Sequence, residues 1–353
     1  MERNTRKAVT MSNEQAIKYS LTLDPSISKP ATRDHPQPAA SLPEAKKTNV
    51  TPRGSNGDEN ASIYFIGTAT TILEWEGIRI LTDPNFLHAG DHVHLGPGVT
   101  ATRQTNPAID LHELPRIDAV LLSHYHADHF DQEVEASLRR DLPIISTPHA
   151  KECLVDKKGD DKFTDVYDID FFQNMMLNIK APGGGEKAPA IKVTGMPGKH
   201  VPDGPLSVAN DLLGAVPPTN GWMVELGYKT SNDSSFTSGY RIYISGDTLY
   251  VNELEEIPER YAGKNIDLML IHLGGTTIPS PKLPLLMVTV DAEQGIKLMQ
   301  LINPDVTIPI HYDDYDAFLS PLEDFKKAVS NAGWDDRVVY LDRADMYKFA
   351  VKQ

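Results

Sequence analysis

The run Ser123-His124-Tyr125-His126-Ala127-Asp128-His129 follows the apolar stretch 119–122, so four metal-ligating side chains leave one strand end within six residues. Alternation along an extended chain sends His124 and His126 the same way, where they can share one ion. Phe130, Val134 and Leu138 then recur every four residues, a helical spacing whose first turn is expected near Asp128. That change of geometry turns Asp128 and His129 toward a second ion. Imidazole and carboxylate are usual donors to catalytic Zn²⁺, and a shell the protein leaves incomplete keeps room for water. A structural zinc site draws more often on thiolate. The single cysteine, Cys153, flanked by Glu152 and Leu154, is read as a packing residue without a histidine or cysteine partner.

Two ions need donors from further strand ends, and the sequence offers them. Residues 240–245 alternate like a strand and run into Gly246-Asp247-Thr248, which places Asp247 just past the strand as a bridging carboxylate. Val306, Ile308 and Ile310 alternate in the same way and His311 follows them, completing the second ion's set. The turn-rich segment 195–200 ends in His200, a third nitrogen for the first ion. Before the histidine run, 62–66, 71–75 and 78–81 read as strands, with Gly67 and Glu76-Gly77 between them. A helix is expected from about Asp291 to Ile302. Another is expected after Ser320-Pro321-Leu322-Glu323, with Ser320 as its cap, Pro321 in its first turn and Gly333 as its stop. This order suits two sheets packed between helices.

The string HYHADH, followed in order by His200, Asp247 and His311, resembles the metallo-β-lactamase superfamily of binuclear hydrolases. The flanks SHYHADHFD, SGDT and PIHY are most similar to the branch holding ascorbate-phosphate lactonases and N-acylphosphatidylethanolamine phospholipase D. The resemblance covers about residues 60 to 350 and implies an α/β fold, the four-layer αββα sandwich. It also gives a role to Thr82-Asp83-Pro84, with Asp83 accepting a hydrogen bond from a ligand imidazole and so fixing its tautomer. After His200, Val201-Pro202-Asp203-Gly204 departs from the phospholipase branch, so phospholipid specificity is not carried over.

Two ions about 3.5–4 Å apart lower the pKa of a shared water toward neutrality, so the expected nucleophile is a metal-bridging hydroxide. Asp128 is expected both to ligate and to orient it, while His272, at the end of the strand 266–271, is the candidate leaving-group acid or oxyanion contact. The expected cofactors are two Zn²⁺, although a mixed His and carboxylate shell also accepts Mn²⁺ or Fe. The expected substrate is a small lactone or lactam. A phosphodiesterase of the phospholipase D type and a non-catalytic metal-binding scaffold are the alternatives.

Composition narrows the setting. A net charge of −15 argues against a nucleic-acid partner, which needs concentrated Lys and Arg. No apolar run reaches the eighteen residues of a membrane span, and a lone cysteine excludes an internal disulfide, so a cytoplasmic location is expected. Residues 1–58, rich in Ser, Thr, Asn, Pro and Lys, are expected to be a mobile extension, and 59–353 to be the hydrolase domain. His88, His92, His94 and His112 fall in a Gly/Pro-punctuated connection and are not read as ligands. The segment 276–287 and Trp222 are read as core cover and buried packing. Oligomeric state is not legible.

Overall fold

The central strands are apolar on both faces rather than one, and such strands must be covered on both sides. The computed structural model describes residues 16–55, 57–96, 99–180, 187–202, 204, 210, 216–230, 235–280 and 283–353. One sheet has eight strands in the order β10 (Val166–Asp168), β9 (Ile144–Ser146), β8 (Ala119–Leu121), β5 (Ile78–Thr82), β4 (Thr70–Trp75), β3 (Ala61–Gly67), β19 (Met346–Phe349) and β2 (Thr48–Asn49). The other has seven, in the order β1 (Tyr19–Leu23), β11 (Asn174–Ile179), β12 (Lys187–Met196), β13 (Gly221–Thr230), β14 (Phe236–Ile244), β15 (Leu268–His272) and β18 (Val306–Ile310). Two hairpins complete the set, β6 (His92–Gly96) with β7 (Val99–Thr102) and β16 (Thr277–Ser280) with β17 (Leu283–Met287).

The inner faces of the sheets meet in a core that includes Phe65, Leu73, Ile80, Val193, Trp222, Val224, Ile242, Leu268 and Ile308. Full burial of each such side chain contributes roughly 1.5–3 kcal/mol. On the outer face of the eight-stranded sheet, Tyr64, Ile72 and Val120 pack against Val134, Ala150 and Leu154 of the helices Gln132–Ser137 and Pro148–Val155. On the outer face of the seven-stranded sheet, Tyr243, Met269 and Ile271 pack against Leu298, Met299, Phe325 and Val329 of the helices Ala292–Ile302 and Leu322–Ala332. The four layers of the expected αββα sandwich are therefore present.

Topology sets where chemistry can sit. β5, β8 and β9 run parallel in one sheet, and β14, β15 and β18 run parallel in the other. Loops at the carboxyl ends of parallel strands crowd together at one edge of the layers, where ligands bind in open α/β sheets.

Three local expectations change. The segment before residue 59 is not a loose extension over its described part. β1 pairs in parallel with β11, from Tyr19 opposite Met175 to Leu23 opposite Ile179, and β2 joins β19 on the other sheet. Ala31 and Thr32 are buried between these strands in sequence, so the path from 16 to 55 is held by backbone pairing rather than by a long apolar pattern. Residues 1–15 lie outside the described residues. The helix expected near Asp128 begins at Gln132, because Asp131 is the residue whose carboxylate accepts from the Glu133 and Val134 N–H groups. Ser320 does not cap the helix that follows it. Pro321 is the residue preceding that helix, and the Ser320 hydroxyl instead accepts from Ala292 N, at the start of the neighbouring helix, at 3.1 Å.

Candidate metal centre

Each strand end delivers its side chain for a local reason. β8 stops at Leu121, and the chain turns back on itself at His126, whose carbonyl accepts from the N–H groups of both His129 and Phe130. This tight turn brings His124, His126, Asp128 and His129 to one place. After β14, Gly246 has φ +59° and a Cβ there would lie 2.2 Å from the Asn220 carbonyl, so glycine is what lets Asp247 follow so closely. His311 follows β18 with φ 60°, its N–H donating to the Thr68 carbonyl at 2.9 Å. His200 comes from beyond β12 and lies against β17, its Nδ1 3.1 Å from the Val288 carbonyl.

All seven expected ligands converge. The His124 ring lies 5.5 Å from that of His126, 4.2 Å from His129 and 4.7 Å from His200. Asp128, His129, Asp247 and His311 form a second group whose donor atoms all lie within 4.8 Å of one another. Within it, His129 Nε2 is 3.1 Å from Asp247 Oδ2, and the Nε2 atoms of His129 and His311 are each 3.7 Å from Asp128 Oδ2. Donors at about 2.0–2.1 Å from a tetrahedral ion stand roughly 3.3 Å apart, so this spacing suits one cation.

The tautomers agree with that reading. Nδ1 faces the Ser123 hydroxyl in His124 at 2.9 Å, Asp83 Oδ2 in His129 at 3.1 Å, and the Leu273 carbonyl in His311 at 3.2 Å. His126 Nδ1 is 2.6 Å from Asp128 Oδ1. The Nε2 atoms of His124, His126, His129, His200, His272 and His311 are buried with no hydrogen-bond partner among the described residues. A buried polar atom without a partner costs about 1–3 kcal/mol, and six on neighbouring rings are unexplained by packing. They fit a cation-filled centre.

Burial pushes the His124 and His200 imidazoles down, His200 to about 4, keeping them neutral with a lone pair free, although the Asp247 charge opposes the effect at both. Burial would push Asp128 and Asp247 up, but the histidines around them outweigh it and hold both carboxyls well below their usual range. His272 is fully buried, with Nδ1 3.1 Å from Asp247 Oδ1 and its ring 5.9 and 5.6 Å from those of His129 and His311. Asp83 accepts from Ser123 N at 2.6 Å with the carboxylate oxygen that does not face His129.

Sequence reasoning missed the supports. Ser123 adjoins the motif and Asn85 directly follows Asp83-Pro84, where Asn85 Nδ2 donates to the Asp128 carbonyl at 2.9 Å. Neither has a spacing that marks it. Cys153 does have a histidine close by, one helical turn back, with its Sγ 3.8 Å from His149 Nε2. His88, His92 and His94 are exposed and paired with Asp110, Thr102 and Thr100. Within the segment 276–287, β16 and β17 pair antiparallel, and Trp222 is buried as expected.

Sandwich and donor set together define a metal-binding protein of the αββα class. A family model described as a beta-lactamase superfamily domain matches residues 78–312, and the chain belongs to that family. It is 26% identical over 287 residues to a UPF0173 metal-dependent hydrolase of Archaeoglobus fulgidus, covering 81% of this chain and 98% of that one. It is 24% identical over 279 residues to the mitochondrial N-acyl-phosphatidylethanolamine-hydrolyzing phospholipase D of Saccharomyces cerevisiae, covering 77% of this chain and 53% of the yeast protein. The fold is shared with an isothiocyanate hydrolase from Delia radicum gut bacteria, at TM-score 0.62 and 16% identity over 82% of this chain and 99% of that one.

Proposed function

We propose that this protein is a hydrolase that works with two divalent cations, one held by His124, His126 and His200, the other by Asp128, His129 and His311, with Asp247 shared between them. The observation that carries this reading is the set of buried Nε2 atoms on neighbouring histidine rings that have no partner among the described residues. Mixed nitrogen and oxygen donors make Zn²⁺ the first choice, with Mn²⁺ or Fe accommodated by the same shell. Cations bound there supply Lewis acidity, lowering the pKa of water and polarising the scissile group.

The chain's own residues hold that chemistry in place. Asp83 and Ser123 hold the imidazoles of His129 and His124 through Nδ1, and Asp128 joins the centre with its Oδ1 beside His126 Nδ1. His272, buried against Asp247, takes the role of holding that carboxylate rather than that of leaving-group acid. Phe318 lies tilted against His311, ring centroids 4.5 Å apart, and packs with Leu87, Val93 and Leu95, an apolar wall beside the centre.

The substrate we infer is a small cyclic ester or amide, a lactone or lactam, met in the cytoplasm. The lactonase-like flanks support it, and the charge of −15 disfavours polyanions. Similarity to the yeast phospholipase D supports a second reading, a phosphodiesterase. Metal analysis combined with turnover on lactones, lactams, simple esters and N-acyl phospholipids separates the readings. Two equivalents of metal with lactone or lactam opening, lost in Asp128→Asn, is the expected result. Two equivalents with no turnover on any member would favour a non-catalytic scaffold.

A further inference from the structure

Arg103 is 1% exposed, an uncommon place for a permanently charged group. Its guanidinium spends its donors on three separate segments. Nε donates to the Thr105 carbonyl at 3.0 Å, Nη1 donates to Asn85 Oδ1 at 2.7 Å, and Nη2 lies 3.0 Å from Asp314 Oδ1. The group also sits over the Tyr315 ring, 5.3 Å from its centroid.

Both long-range partners lead to metal ligands. Asn85 uses its amide N–H groups on the Asp128 carbonyl at 2.9 Å and the Tyr315 hydroxyl at 2.7 Å. Asp314 accepts from Thr68 N at 2.7 Å, and the Thr68 carbonyl in turn accepts from His311 N at 2.9 Å. Thr68 and His311 have φ of 47° and 60°, left-handed backbone that costs each about 1 kcal/mol or more and persists only where surroundings enforce it. Arg343 also donates to Asp314 Oδ1, at 2.7 Å, so the carboxylate keeps a counter-ion of its own.

A fully buried ion pair is a poor source of stability, because desolvation consumes most of the attraction. It does impose geometry, and a planar fork with donors in fixed directions imposes more than an ammonium can. We propose that Arg103 is a positioning residue that sets the Asp128 loop and the His311 loop at the separation a shared cation requires, through Asn85 on one side and through Asp314 and Thr68 on the other. This rests on the two-cation reading above.

The test is a titration of metal-free protein with Zn²⁺ against a chromophoric chelator, in the parent, Arg103→Lys and Asn85→Ala. Arg103→Lys keeps the charge and loses the fork. Asn85→Ala leaves the Arg103–Asp314 pair whole and serves where the lysine variant does not fold. The expected result is one equivalent bound as tightly as in the parent and the other weakened on the order of 10- to 100-fold. Variants that unfold at lower temperature yet bind both equivalents with parental affinity would show a purely structural role and overturn the proposal. A parent that takes up fewer than two equivalents would bring down the two-cation reading, and this proposal with it.

Discussion

β14, β15 and β18 lie side by side and parallel, and their two ends have opposite characters. At the carboxyl ends stand Asp247, His272 and His311, the two histidines each with a buried Nε2 that no described residue satisfies. At the amino ends the polar groups are matched to one another. Asp267 accepts from Arg241 N at 2.7 Å and from Asn265 at 2.9 Å, Asn265 donates also to Asp305 at 2.8 Å, and Arg241 reaches Glu225 at 2.9 Å. A cavity of about 290 Å³, lined by Tyr240, Asp267, Asp305 and Tyr347, opens at this second end. Open space beside satisfied groups marks a surface, whereas unsatisfied buried nitrogens mark a seat for something small and charged.

The sharpest way to break this comparison is one substitution at each end. Asp247→Asn should lower bound metal and reduce hydrolysis roughly 1,000-fold. Asp305→Asn should leave both unchanged and cost about 1 kcal/mol of stability, read by denaturant unfolding. Equal losses of metal in the two variants would erase the distinction.

A smaller effect comes from protons. Burial would lower His129 and His311, but the Asp247 and Asp128 carboxylates outweigh it and hold both rings above the ordinary imidazole range. Protons held there in the metal-free protein must leave when a cation enters, so affinity should rise with pH, and its weakening as pH falls should set in above the ordinary imidazole range. Calorimetric titration in two buffers of different ionisation enthalpy checks this through the protons released. Affinity that does not change with pH would contradict it.

The smallest effect is that of a helix cap. Asp291 caps the helix Ala292–Ile302 by accepting from Gln294 N at 2.9 Å, and Asp291→Ala should cost about 1 kcal/mol with metal content unchanged. Thermal unfolding and metal analysis on the same sample read both quantities.

What the sequence disclosed divides along physical lines. The candidate ligands were legible because a strand's alternation and its end are local properties, visible in Val306-Thr307-Ile308-Pro309-Ile310-His311 without knowing what lies beside it. The same holds for Gly333, whose role as a helix stop is written within a few residues. Partnerships across the chain left no such trace. Tyr19–Leu23 became a strand because Met175–Ile179 offered an edge, and five residues of mixed polarity do not announce a neighbour more than 150 positions away. Arg103 and Asn85 matter for what they reach, and reach is a property of the folded chain. Ser320 carried a correct signal for capping and an incorrect address, since the N–H group it serves belongs to another helix.

The donors come from both halves of the sandwich. The HYHADH turn extends from β8 of the eight-stranded sheet, while His200, Asp247 and His311 follow β12, β14 and β18 of the seven-stranded one. A cation gripped from both sides is thus a rivet through the two layers, in a chain whose single cysteine rules out a covalent one. Withdrawing it with a chelator would loosen the joint between the sheets at their active edge, so the same ions that serve catalysis would also set how long the folded state survives.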